Sequence, residues 1–203
     1  ASSKFPRRAY IVAIVPLRIA IKLLPDAAQA ITLQATLARC NEACTWLVAQ
    51  GSTTGKTHRF DLQRLAYYEL RERFGLTSQA TIHCIGKVAD AFKVGREPKR
   101  FRKYAAQPYD ARILRFIGTT KVNLWTLAGR MTIPFVAGEH QRKLLTFRKG
   151  EADLAFIRSK WFLICACEVP EKELSTPTDF LGVDLGIVNS AADSDGQVFS
   201  GEK

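Results

Sequence analysis

This sequence lacks most of the features that would narrow its function at once. Its five cysteines include no Cys-x-x-Cys pair. Neither Cys40 with Cys44 nor Cys165 with Cys167 has a histidine beside it at zinc-ligand spacing. They read as small buried thiols of a reducing cytosol. No apolar run approaches the roughly 20 residues that cross a bilayer, so no membrane partner is expected. The opening cations Lys4, Arg7 and Arg8 before AYIVAIVPL imitate a secretory leader. Pro16, Arg18 and Lys22 interrupt that run, and Leu17, Ile19, Ile21 and Leu23 alternate as in a β-strand. There is no internal repeat and no low-complexity tract.

Acidic residues are scarce through most of the chain. The 203 residues carry 30 Lys and Arg against 19 Asp and Glu, a formal net charge of +11. Seven of those 19 acids (Glu171, Glu173, Asp179, Asp184, Asp193, Asp195 and Glu202) fall at or beyond Glu171, where only Lys172 and Lys203 are basic. The first part of the chain therefore suits a polyanion, either nucleic acid or an anionic membrane surface. The last part uses carboxylates for something else.

The periodicities divide the chain. Residues 9–24 read as a strand, and Pro25-Asp26 stops it and caps a helix. That helix is expected through Gln50, with Ile31, Leu37, Cys44 and Val48 near one face, followed by GSTTGKTHRF as a loop. A second helix is expected from about Asp61 to Gly75. A third, capped by Thr77 or Ser78, places Ile82, Ile85, Val88, Ala89 and Phe92 at helical spacing. Residues 93–104, KVGREPKRFRKY, form a basic loop whose one acid is Glu97. Beyond Pro108 the period turns to two, in runs that include ARILRFIG, KVNLWTLAG, RMTIPFVAG and KLLTFRKG, punctuated by Gly118, Gly129, Gly138 and Gly150. Such runs read as an antiparallel sheet or small barrel. EKELSTPTD then forms a linker.

GSTTGKT imitates a phosphate-binding loop but has three residues, not four, between its first Gly and the Gly-Lys pair, and it follows a helix. A loop bringing Lys56 and Arg59 near a phosphate backbone fits better. FLGVDLGIVNSAADSDGQVF is more informative. An apolar strand delivers Asp184 between Gly182 and Gly186, and a hairpin follows. That arrangement fits the first strand of a ribonuclease-H-like fold, where a carboxylate helps to hold two metal ions. DSDG reads as the hairpin turn. GVDLGIVNS also resembles the first phosphate loop of DnaK-type chaperones, which would make the chain an actin-like ATPase. The hydroxyls of that loop are replaced here by Ile187 and Val188, which cannot hydrogen-bond a phosphate.

In this order, the segments IKLLPDAAQAITLQATLARCNEACTWL, LQRLAYYELRERFGLTSQATIHCIGKVADAFK, PYDARILRF, LWTLAGRMTIPF, KGEADLAFIRSKWFLICACEVP and FLGVDLGIVNSAADSDG resemble the N-terminal half of the TnpB family. These are transposon-encoded RNA-guided nucleases, related to the compact type V CRISPR effectors. The resemblance implies an α+β fold. An oligonucleotide-binding-like wedge barrel (residues 1–25 and 105–176) is interrupted by a helical recognition insertion (26–104), and the first hairpin of a RuvC domain follows (177–203).

The resemblance further implies a guide RNA and double-stranded target DNA as partners, in a cytoplasmic, nucleoid-associated prokaryotic setting. Asp184 becomes the first catalytic metal ligand. Mg²⁺ would bind only with later ligands that have no counterpart here, supplied by the remainder of an effector chain. A non-catalytic RNA-guided DNA-binding protein, such as a repressor or targeting module, is the alternative reading.

On this reading Lys93, Arg96, Lys99, Arg100, Arg102 and Lys103 contact phosphates, with Lys56, Arg59 and Lys87 as further backbone contacts. Arg71 and Arg73 offer additional cations on a helix face. Phe101 and Tyr104 stack on bases, or else pack beneath the loop. Ser78, Gln79 and His83 at the start of the third helix read the DNA motif, His83 lying one helical turn after Gln79.

Overall fold

The computed structural model describes residues 14–95, 100–171, 180–186 and 189–200. The chain divides into two compact units, 1–170 and 171–203. The first is α+β. Strand β1 (Ile14–Leu23) leads into helices α1 (Ala27–Thr54), α2 (Arg59–Phe74) and α3 (Ser78–Val94). Strands β2 (Gln107–Tyr109), β3 (Leu114–Ile117), β4 (Lys121–Thr126) and β5 (Gly129–Val136) follow, then helix α4 (Glu139–Leu145), β6 (Arg148–Ile157) and β7 (Lys160–Pro170).

These strands form one antiparallel sheet in the order β2-β6-β7-β1-β5-β4-β3. Its two end strands, β2 and β3, are consecutive in the chain and separated only by residues 110–113. The sheet must therefore curl until its ends meet, and it forms a nearly closed barrel. A hydrogen bond links the two ends: Tyr109 Oη on β2 donates to Trp125 O on β4 at 3.0 Å. Alternation along β1 and β7 turns Ile19, Ile21, Leu23, Trp161, Leu163, Cys165 and Cys167 inward. Pro16 is tolerated because β1 pairs with β5 only at Lys22 and Leu23, leaving that edge open earlier in the strand.

The helices fill the gap between β1 and β2. Asp26 caps α1: its Oδ1 accepts from Gln29 N at 2.8 Å, while Gln29 Oε1 accepts from Asp26 N at 3.2 Å. The buried stripe of α1 is Leu33, Leu37, Cys40, Cys44, Leu47 and Gly51, and α2 buries Leu62, Ala66, Leu70 and Phe74. Each fully buried leucine stabilises by about 1.5–3 kcal/mol. These faces, continuous with the barrel core, hold the insertion in place. Gly75, at φ 64°, ends α2 as expected from its conformational freedom.

Three details differ from the sequence expectations. Ile31 lies on the outer face of α1, because the buried stripe begins at Leu33, two residues on and so about 200° around the helix. The run GSTT is not loop but the last turn of α1, where Thr53 and Thr54 bond back to Ala49 O and Gln50 O. Gly51 fits there because a Cβ would lie 2.8 Å from Lys56 O and 3.0 Å from the Phe92 ring. The run KLLTFRKG is partly helical. Gln141 Oε1 accepts from Gly138 N at 2.8 Å and its Nε2 donates to Ala20 O at 2.6 Å, starting α4 and tying it to β1.

The second unit contains strands β8 (Val183–Asp184), β9 (Asn189–Asp193) and β10 (Val198–Ser200), paired antiparallel in the order β10-β9-β8. Asp193 Oδ1 accepts from Asp195 N and Gln197 N, and Gly196 takes φ 85°. DSDG is therefore the turn between β9 and β10, as the sequence indicates.

Candidate nucleic-acid interface

A cleft of about 550 Å³ opens between α3 and the outer face of β1, β6 and β7. Small residues leave the space: Ala166, Gly150 and Gly86 line it. Arg18 enters from β1, on the strand face opposite Ile19. Arg59 enters from the first turn of α2, its guanidinium carbon 3.6 Å from where a Cβ on Gly86 would lie. Lys87 and Lys149 complete the cationic lining, against Asp90, Glu151 and Asp153. Asp90 is drawn off by Lys93 at 2.7 Å, and Lys149 by Glu168 at 2.6 Å. Arg18 and Arg59 have no ion-pair partner among the described residues.

Of the expected motif-reading residues, His83 lines this cleft. Ser78 is exposed at the start of α3. Gln79 Nε2 donates to Asp110 Oδ2 at 2.6 Å, and Gln79 Oε1 accepts from Arg112 Nη1 at 2.9 Å. His83 is 4% exposed, with Nε2 3.3 Å from Gln79 Nε2 and 3.7 Å from Asp110 Oδ2, and Nδ1 3.6 Å from Glu151 Oε1. Gln79 and His83 thus share one face, as their spacing requires. Both are held in a network whose exposed members are Arg112 and Glu151.

Lys93 and Val94, expected in the basic loop, instead end α3. Lys93, Arg100, Arg102 and Lys103 are exposed; Arg96 and Lys99 lie outside the described residues. Asn41, fully buried on α1, donates through Nδ2 to Lys103 O at 3.3 Å and to Ala105 O at 2.9 Å. Lys87 Nζ donates to Asn41 Oδ1 and Ala106 O, each at 2.7 Å, and sits 5.0 Å from the Phe101 ring centre. Lys87 is thus half-buried and committed to internal acceptors. Phe101 and Tyr104 are half-buried and packed on the core, Tyr104 edge-on to Phe156 at 5.7 Å. Lys56 is exposed just after α1 ends, on the approach to Arg59.

Arg18, Lys149 and Arg112 escaped the sequence reading because they come from separate strands and turns that converge only in the folded barrel. The alternation of β1 does place Arg18 outside the core, which is the one local signal available.

All five cysteines are free and buried. Cys40 and Cys44 on α1 meet Cys84 on α3: Cys44 Sγ lies 3.8 Å from Cys84 O, and Cys84 Sγ 3.7 Å from Cys40 O. Burial, followed by the hydrogen bond to Cys84, holds the Cys44 thiol well above the ordinary range. The Cys84 thiol is raised first by its hydrogen bond with Cys40. Inside the barrel, burial pushes Cys165 up to about 12. These are inert packing thiols rather than nucleophiles.

In the second unit Asp184 is exposed and pairs with Ala192 across the strands. Among the described residues, no group of three or more His, Cys, Asp or Glu side chains is placed to hold a metal ion. Asp193, the nearby carboxylate, is engaged by its own turn. The described residues therefore do not fit a complete two-metal site.

No described helix is long and apolar enough to cross a membrane. Comparison with models of known protein families and with curated protein sequences gives no match.

Proposed function

We propose that this chain is the part of an RNA-guided DNA endonuclease that binds guide RNA and reads the motif beside the DNA target. The observation that carries this reading is the basic cleft between the helical insertion and the outer face of the barrel. Its uncommitted cations, Arg18 and Arg59, come from elements on opposite sides. Two guanidinium groups without ion-pair partners in a concave site favour a polyanion and suit backbone recognition. In RNA-guided systems base pairing reads most of the sequence, and the protein reads only a short adjacent motif and backbone shape. The exposed Ser78 at the start of α3, and the exposed Arg112 bonded to Gln79, are available for that limited task. The barrel would correspond to the wedge, α1 to α3 to the recognition lobe, and Asp184 to one ligand of a RuvC metal site completed by other residues.

The test is to purify the chain at gentle salt and sequence the RNA that accompanies it. One dominant structured RNA is the expected result. Random fragments, or none, would overturn the reading.

A further inference from the structure

A second groove, of about 500 Å³, runs between α1 and the last part of the basic loop, Arg100 to Lys103. It falls within the roughly 300–1,000 Å³ of pockets that hold small ligands. Its apolar lining comes chiefly from Trp46 and Phe101, and Arg100 and Lys103 stand at its rim. Its one acid, Glu42, is 3.5 Å from Arg39 on the same helix. Thr45 Oγ1 accepts from Phe101 N at 3.1 Å, which fixes the Phe101 backbone against α1. Arg73 adds a guanidinium 5.5 Å from the Trp46 ring centre. The groove therefore combines two half-buried aromatics with a cationic rim and a neutralised acid.

We infer that this groove seats an unpaired base of single-stranded RNA, with Arg100 and Lys103 on the adjoining phosphates. The choice of RNA rests on the guide-RNA reading above. Aromatic side chains beside cations are the composition that binds single strands, because every base has a stacking face and every nucleotide a phosphate. A peptide would satisfy the aromatics but not the rim charge. The groove also changes the role of Phe101. It is not a free platform on the loop, but one wall of a slot whose other wall, Trp46, lies 55 residues earlier in the chain.

Trp46 reports on the groove selectively. Of the three tryptophans, Trp125 and Trp161 are only 8% and 4% exposed, whereas Trp46 is half-buried at the groove. The experiment titrates the full chain with an oligouridylate of about eight nucleotides, within the usual site size of single-strand binders. Saturable quenching of tryptophan emission is expected. Heparin, which brings charge without bases, should leave emission unchanged. Phe101→Leu should weaken binding by about 5- to 150-fold, the range for losing one stacked base. Arg100→Ala, at an exposed rim position, should weaken binding without affecting the fold, so the result does not hang on one variant.

Binding with unaltered Trp46 emission would overturn the groove while leaving the guide-RNA reading intact if a dominant RNA still co-purifies. Equal quenching by heparin would also overturn it, and equal binding of oligothymidylate would overturn the assignment to RNA. Quenching by oligouridylate without any dominant co-purifying RNA would uphold the groove and count against the guide-RNA reading.

Discussion

Lys87 on α3 and Asn41 on α1, 46 residues apart, share a 2.7 Å hydrogen bond that fixes where the basic loop lies. Asn41 is fully buried and bonds to two loop carbonyls, while Lys87 bonds to a third. The pair holds the loop through its backbone and leaves the side chains of Arg100, Arg102 and Lys103 outward.

Replacing Lys87 with Met keeps the length of the side chain but leaves Ala106 O and Asn41 Oδ1 without their donor. Ala106 is exposed, so its carbonyl can turn to water, but Asn41 is buried, and a buried polar group so orphaned costs about 1–3 kcal/mol. Lys87→Met should lower urea stability by that order, and Asn41→Ala by at least as much. The double variant should lose less than the sum, since both act on one network. Additive losses would show that the two residues work independently.

Gly51 sits where α1 meets the Lys56 backbone and the Phe92 ring, with 2.8 Å available for a Cβ. Gly51→Ala should therefore destabilise by about 1–3 kcal/mol, the usual cost of overpacking, despite alanine's better helix propensity. Gly55→Ala, with open space but φ 68°, should cost less, through backbone strain alone. Thermal denaturation of both variants measures the contrast. A stabilised Gly51→Ala would contradict the close approach.

The buried thiols link stability to alkaline pH. Cys165 has an ordinary value of 9.0 and is raised to about 12 in the fold. Its folded form therefore holds the proton more tightly than the unfolded chain. The resulting stabilisation is complete below pH 9, and it is lost as pH rises toward about 12. Cys44 and Cys84 act in the same direction. Urea melts between those pH limits should show falling stability, with a shallower fall in Cys165→Ala. Thiol labelling of the native chain at neutral pH should be slow and should track unfolding.

Neutralising Arg100, Arg102 and Lys103 together should weaken RNA binding and flatten its dependence on salt. Three lost phosphate contacts change the logarithmic slope by about 2 for a single strand. An unchanged slope would remove the loop from the interface.

Asp184 is exposed and has no ion-pair partner among the described residues. Asp184→Ala should leave folding and RNA binding unchanged. The chain by itself should not cut DNA with Mg²⁺, because one carboxylate cannot position two metal ions. Cleavage that disappears in Asp184→Ala would show that the remaining ligands are present after all.

The sequence by itself determined the succession of strand, helices and strands. Caps and periodicity are local: Asp26 with Gln29 starts a helix, Gly75 ends one, and alternation along residues 17–23 turns Arg18 away from the core. It also determined the charge division, with cations before Pro170 and carboxylates after it. Where local signals conflicted, the fold followed contacts that the sequence does not display. GSTT stayed helical because Gly51 admits the Lys56 backbone, and the region around KLLTFRKG bent into α4 because Gln141 reaches Ala20.

Only the tertiary structure decided which charged and aromatic residues are available. Lys87 looks like one more surface cation on α3 until Asn41 and Ala106 claim its ammonium. Gln79 and His83 share a face but are held by Asp110, Arg112 and Glu151. Arg18, Arg59 and Lys149 become neighbours only when β1 enters the sheet beside β7 and the insertion folds onto the barrel. Hydrogen bonds and burial between segments many residues apart make that selection, and no periodicity in the sequence encodes it.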